Sequence, residues 1–116
     1  MSQKAHAPHL TLEVERKGHT IIVRCSGKLV SGVNDILYAR VKEQFPHTKH
    51  IVLDLKDLVR MDSSGLGTLA RLYVSAKSAG ITLELTHLSK QVRELLGLTN
   101  LLEVFAFIGQ SGVKMG

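Results

Sequence analysis

The stretch from His50 to Gly67, HIVLDLKDLVRMDSSGLG, decides how this chain is read. Residues 50–55 (HIVLDL) form a short apolar run, the pattern of a strand buried in a parallel sheet. Residues 64–78 then carry Leu66, Leu69, Tyr73 and Ala76 on one helical face, with Lys77 and Gly80 marking the helix end. Between the two, Arg60-Met61-Asp62-Ser63-Ser64-Gly65-Leu66-Gly67 turns a strand into a helix. Ligand and partner sites of open α/β sheets lie at such corners. Ser63 is placed to cap the helix through a backbone N–H, which leaves the Ser64 hydroxyl free just inside the first turn. The alternative is that both serines only cap the helix. The glycines allow another backbone to approach closely, and the helix-start N–H groups favour an anion such as phosphate.

Outward from this corner the chain alternates strands and helices. Residues 10–16 (LTLEVER) alternate apolar and polar, as in a half-buried strand. Lys17-Gly18-His19 reads as a turn, and residues 20–25 (TIIVRC) as a second strand, the pair forming a hairpin that ends at Ser26-Gly27. Residues 31–45 are expected to be helical, capped by Ser31, with Val33, Ile36, Leu37, Val41 and Phe45 on one face and Pro46 as the stop. Residues 81–86 (ITLELT) form a strand, and Ser89 caps a helix carrying Val92, Leu95 and Leu96 and ending at Gly97. Residues 98–102 add a helical turn, and 103–108 (EVFAFI) a last edge strand. Residues 1–9 are expected to be a flexible tail, 10–108 the folded domain and 109–116 a C-terminal tail. The order β-β-α-β-α-β-α-β implies an α/β fold with right-handed crossovers: a mixed, mainly parallel sheet of four to five strands with three to four covering helices.

Composition narrows the function. A chain of 116 residues is one domain and can bury a core without metal or disulfide. Cys25 is the single cysteine, which suits a reducing compartment, and on an apolar strand it reads as a small buried hydrophobe. No apolar h-region opens the chain, and no apolar run approaches the ~20 residues of a membrane span, so a cytoplasmic protein away from membranes is expected. The net charge is +5, yet the Lys and Arg residues are dispersed, Trp is absent and aromatics are few. That pattern is a solvated surface rather than a nucleic-acid platform. The six histidines lack metal-ligand spacing. Gly65-Leu66-Gly67 is not a phosphate-binding P-loop, Ser64 lacks the setting of a hydrolase nucleophile, and no acid–base partner is positioned for Asp54 and Asp62. Neither an enzyme, a cofactor nor a metal is expected.

The residues Ile51-Val52-Leu53-Asp54-Leu55 followed by Met61-Asp62-Ser63-Ser64-Gly65-Leu66-Gly67 resemble the STAS family of anti-sigma-factor antagonists. Ser26-Gly27-Lys28-Leu29, Leu88-Ser89-Lys90 and Arg93-Glu94-Leu95-Leu96-Gly97-Leu98 agree with it, so the resemblance covers about residues 10–108. It implies the STAS fold. It also implies phosphorylation of Ser64 by an anti-sigma factor that is a serine protein kinase of the histidine-kinase-like ATPase type. The unphosphorylated form would capture that kinase and free a sigma factor, and a PP2C-type phosphatase would reset it. The expected docking surface joins Leu29, Val30, Ser31 and Gly32 to Asp62, Ser63, Ser64, Gly65, Leu66 and Gly67, on a monomer or weak homodimer. Gly65→Glu is expected to block docking and leave the fold intact. One departure bears on partner choice: Val30 stands where such antagonists usually carry an acid. The second reading is a non-switching STAS module, acting as a signalling scaffold or as a sensor of a small ligand, a nucleotide or a lipid.

Overall fold

Period-two burial builds the sheet. The computed structural model describes residues 2–7 and 9–98, with side chains described from His9 to Glu94. Leu10, Leu12 and Val14 are buried in β2 (Leu10–Lys17), as are Ile21, Val23 and Cys25 in β3 (Thr20–Leu29). β2 and β3 form the expected hairpin, antiparallel from Leu10↔Gly27 to Lys17↔Thr20. The turn residue Gly18 takes φ +61, a value that costs glycine little. β3 then pairs parallel with β4 (His50–Met61), and β4 pairs parallel with β5 (Thr82–Thr86). An edge strand β1 (Ser2–Ala7) pairs antiparallel with β2, so the strands lie in chain order in a five-stranded mixed sheet.

Two helices make the parallel crossovers. α1 (Asn34–Gln44) links β3 to β4 through a 3₁₀ turn at Phe45–His47, and α2 (Ser63–Ser78) links β4 to β5. Leu37 and Val41 of α1 and Leu66, Leu69, Leu72 and Ala76 of α2 share one core with the inward residues of the strands. α1 and α2 also touch through Tyr38: its hydroxyl and Ser75 Oγ are 2.9 Å apart, and the Arg71 guanidinium lies 4.2 Å from its ring centre. α3 (Lys90–Leu98) starts at Ser89, whose Oγ accepts the Val92 N–H at 3.2 Å, the cap expected there. The alternate residues of the strands carry charge. Arg24 reaches Glu15 at 2.5 Å and Asp54 at 3.9 Å, while His50 bridges Thr20 and Glu84 across three strands.

The structure departs from the sequence reading in four places. Ser2–Ala7 form a strand where a tail was expected. A strand held by backbone pairing on a sheet edge needs no apolar alternation, and SQKAHA has none. Second, β3 runs on through Ser26-Gly27 to Leu29, because irregularities in its pairing with β4 absorb the glycine. Gly27 has φ +101, and a Cβ there would collide with the His9 carbonyl. Third, β4 continues past Leu55 to Met61, so the strand is twice the expected length. Fourth, α1 starts at Asn34: Val33 occupies the cap position without a side-chain hydrogen bond, and Ser31 is exposed and does not cap it. The side chains of Leu95 and Leu96, the turn at 98–102 beyond Leu98, the strand at 103–108 and the tail at 109–116 lie outside the described residues.

Cys25 is wholly buried, and desolvation pushes its thiol up to about 12. A disulfide-forming thiol reagent should therefore fail to modify the native protein at neutral pH and react fully in denaturant. Fast modification of native protein would contradict this placement of β3.

Candidate functional site

The last residues of β3 and β4, Leu29 and Met61, are register partners, so the segments that follow them emerge side by side. Asp62 joins the two. Its backbone N–H donates to the Leu29 carbonyl at 3.3 Å. Its Oδ2 accepts the Ser31 N–H at 3.0 Å. Its Oδ1 accepts the N–H of Ser64 at 3.0 Å, the N–H of Gly65 at 3.1 Å and the Ser64 hydroxyl at 2.6 Å. The Ser64 hydroxyl first, then the Ser31 and Gly65 amides, hold the Asp62 carboxyl at about 2, well below its ordinary value.

Asp62, not Ser63, is therefore the N-cap of α2. Ser63 is the first helical residue and is exposed, and the Ser64 hydroxyl is not free but bound to Asp62. The signal was present in the sequence: Asp ranks with Ser as a cap, and an acid there also meets the positive end of the helix dipole. A second pair of residues escaped notice. Asn34 Nδ2 donates to the Ser64 carbonyl at 2.9 Å and to Thr68 Oγ1 at 3.0 Å, and the buried Thr68 hydroxyl donates to the same carbonyl at 3.1 Å. Asn34 lies thirty residues from Ser64, beyond the reach of local pattern reading.

The ten expected docking residues divide by burial. Leu29 is fully buried, and Gly65 and Leu66 are buried with it. These three serve the core and offer a partner no surface. Gly65 is a point of close approach, but to the chain itself: an added Cβ would collide with the Leu29 carbonyl oxygen and lie 2.8 Å from Met61 Cγ. Gly65→Glu cannot leave the fold intact, contrary to expectation. Gly67, in contrast, is exposed, with nothing within 4 Å of an added Cβ. Val30, Ser31, Gly32, Asp62, Ser63, Ser64 and Gly67 remain wholly or partly accessible at one end of the sheet. Beside them opens a cleft of about 310 Å³ lined by His9, Lys28, Val30, Arg60 and Asp62. Among the described residues no group of acids, histidines and cysteines is gathered to hold a metal, and no helix is long and apolar enough to cross a membrane.

With the geometry in place, likeness to other proteins gains meaning. Residues 11–113 match the STAS domain model. An anti-sigma F factor antagonist from Paenibacillus polymyxa is 33% identical over 98 residues, 83% of this chain and 84% of that protein. The unphosphorylated form of the anti-sigma factor antagonist SpoIIAA superposes with a TM-score of 0.71 at 18% identity, covering 90% of this chain and 88% of that one. A sulfate transporter family protein from Wolinella succinogenes superposes with a TM-score of 0.72 at 20% identity, covering 86% of this chain and 80% of that one. Both superpositions speak to fold.

Three substitutions separate the roles at this corner. Gly65→Ala should destabilise by about 1–3 kcal/mol through overpacking, whereas Gly67→Ala should be neutral or stabilise by about 0.5–1 kcal/mol. Equal midpoints for the two alanine variants in denaturant titration would contradict the assigned packing. Asp62→Ala should cost about 0.5–2 kcal/mol as a lost cap. Because the folded carboxyl sits at about 2 and the unfolded one near its ordinary value, its contribution is present above pH ~4 and is lost as pH falls toward 2. The acid limb of the stability profile should flatten in Asp62→Ala, and an unchanged limb would refute the depressed carboxyl.

Proposed function

The chain belongs to the STAS domain family, and from that premise we propose that it is an anti-sigma-factor antagonist whose docking is switched by phosphorylation of Ser64. A relative from Paenibacillus polymyxa, 33% identical, is named an anti-sigma F factor antagonist. In this reading the unphosphorylated chain captures an anti-sigma factor that is also a serine kinase of the histidine-kinase-like ATPase type, and a sigma factor is released. A PP2C-type phosphatase returns the chain to its binding state.

The observation that carries the proposal is the hydrogen bond from the Ser64 hydroxyl to Asp62 Oδ1 at the accessible end of α2. With its proton committed to Asp62, the hydroxyl turns its lone pairs outward. In the transfer, Oγ bonds to the γ-phosphorus of ATP while the bond to the leaving ADP breaks, and the hydroxyl gives up its hydrogen bond to Asp62 as its proton passes to a base of the kinase. A carboxyl held near 2 is too weak a base to take that proton itself, so its part is orientation.

The product then opposes the contact that prepared it. Phosphoserine brings about −1.5 to −2 charges at neutral pH. A helix N-terminus repays such a charge by about 0.3–1 kcal/mol. The Asp62 carboxylate, at about 5 Å and an effective dielectric near 20, repels each unit of it by about 3 kcal/mol. Repulsion wins, the Ser64–Asp62 bond is lost, and Asp62 is the same side chain that holds the Ser31 amide. Charge on Ser64 thus reaches the Val30–Gly32 segment as well as the partner facing it.

One observation favours the second reading, a non-switching scaffold or ligand-sensing module. Ser64 is already bound through both its hydroxyl and its carbonyl, as a purely structural residue would be.

Titration calorimetry against the cognate kinase with ADP separates the two. Ser64→Ala should bind, with its own stability lowered by about 1–2 kcal/mol for the lost hydrogen bond. Phospho-Ser64 protein should bind at least about tenfold more weakly. Equal affinities for Ser64→Ala and the phosphoprotein would retire the switch.

A further inference from the structure

Lys28 and Arg60 are opposed across the β3–β4 ladder as register partners. Both are exposed, while their chain neighbours Leu29 and Met61 are buried, so the two cations stand together on the outer side of the strands. Like charges directly opposite in a sheet are destabilising. Elsewhere in this sheet such charge is answered, as Arg24 is by Glu15 and Asp54. Among the described residues neither Lys28 nor Arg60 has an ion-pair partner. Asp62 lines the same cleft but forms no ion pair with either: its two oxygens accept from the Ser31, Ser64 and Gly65 amides and the Ser64 hydroxyl, and the two cations outnumber its single charge.

The cleft around them has fixed walls. The Lys28 amide donates to the His9 carbonyl at 2.6 Å, His9 is held at φ +71, and Gly27 lies so close beneath that it has no room for a side chain. His9 and Val30 complete the lining, which contains no Phe, Tyr or Trp side chain. A planar guanidinium beside a lysine, open to solvent, matches a carboxylate presented on a protein surface.

We infer that Lys28 and Arg60 form a docking subsite beside the Ser64 corner for an acidic segment of the protein partner, with Val30 as its apolar floor. The inference rests on the proposed docking role of this corner and adds the chemistry of what docks. It gives the uncompensated cation pair a use: a local cost to the free chain that association removes, with steering of the encounter by charge.

The test uses the full chain, labelled with nitrogen-15, and a synthetic glutamate-rich peptide as probe. The amide signals of Lys28, Val30, Arg60 and Asp62 should shift together. The double variant Lys28→Ala/Arg60→Ala should bind the peptide at least about tenfold more weakly at low salt, and the salt dependence should shrink with it. Its thermal midpoint should be unchanged or raised, since two opposed like charges are gone. Lys17→Ala/Lys49→Ala removes the same charge from the other end of the sheet and should leave binding near wild type. Absence of shifts, an equal loss in that control, or the same shifts produced by inorganic phosphate or ATP at matched ionic strength would each overturn the inference. Titration of the unphosphorylated and phospho-Ser64 proteins against the kinase reads the switch separately from the peptide, so a failed phospho-switch and a failed acidic subsite give different results.

Discussion

The corner of this fold depends on one carboxylate with four donors. Asp62 closes the exposed N–H groups at the start of α2 and reaches across to the Ser31 amide in the segment after β3. A helix N-terminus and a neighbouring loop each leave backbone donors that must be answered. Here one side chain answers both, and so ties two segments that the chain separates by thirty-one residues. Ser64 adds its hydroxyl to the same oxygen, which makes the geometry of the loop sensitive to what happens on the serine. Coupling of this kind needs no long pathway, since one shared acceptor carries it.

Much of the architecture was legible. Alternation in LTLEVER and TIIVRC marks strands with one buried face, and the structure buries Leu12, Val14, Ile21 and Val23 accordingly. The helical spacing of Leu66 and Leu69 places α2 on the sheet. What escaped has physical causes. β1 is held by backbone pairing, which leaves no side-chain periodicity to read. The second half of β4, KDLVRM, buries only Leu58 and Met61, and irregular pairing breaks its alternation. At the site, the segments were found but the division of labour was not. Ser63 was read as the cap because it stands nearest the helix, although the carboxylate one residue earlier reaches two amides at once.

The sheet distributes charge unevenly. Toward its middle, Arg24 lies among Glu13, Glu15 and Asp54, and His87 joins Asp54 at 3.2 Å. These groups are partly exposed, and such pairs contribute modestly, about 0–1 kcal/mol each. Their arrangement still matters, because among the described residues it leaves Lys28 and Arg60, opposed in register at the sheet's far end, without a carboxylate partner. A net charge of +5 spread over the chain thereby acquires a local focus that composition could not reveal.

Gly65 and Gly67 stand two residues apart in one motif and answer to opposite masters. The space at Gly65 is closed by the chain's own Leu29 carbonyl, so that position is constrained by folding whatever the partner. The space at Gly67 is open, so any constraint there comes from outside the chain. In a lineage that changed partners, substitutions would gather at position 67 and along Val30–Gly32, while position 65 stayed glycine. The motif thus holds two records, one of architecture and one of allegiance, and only the second is free to be rewritten.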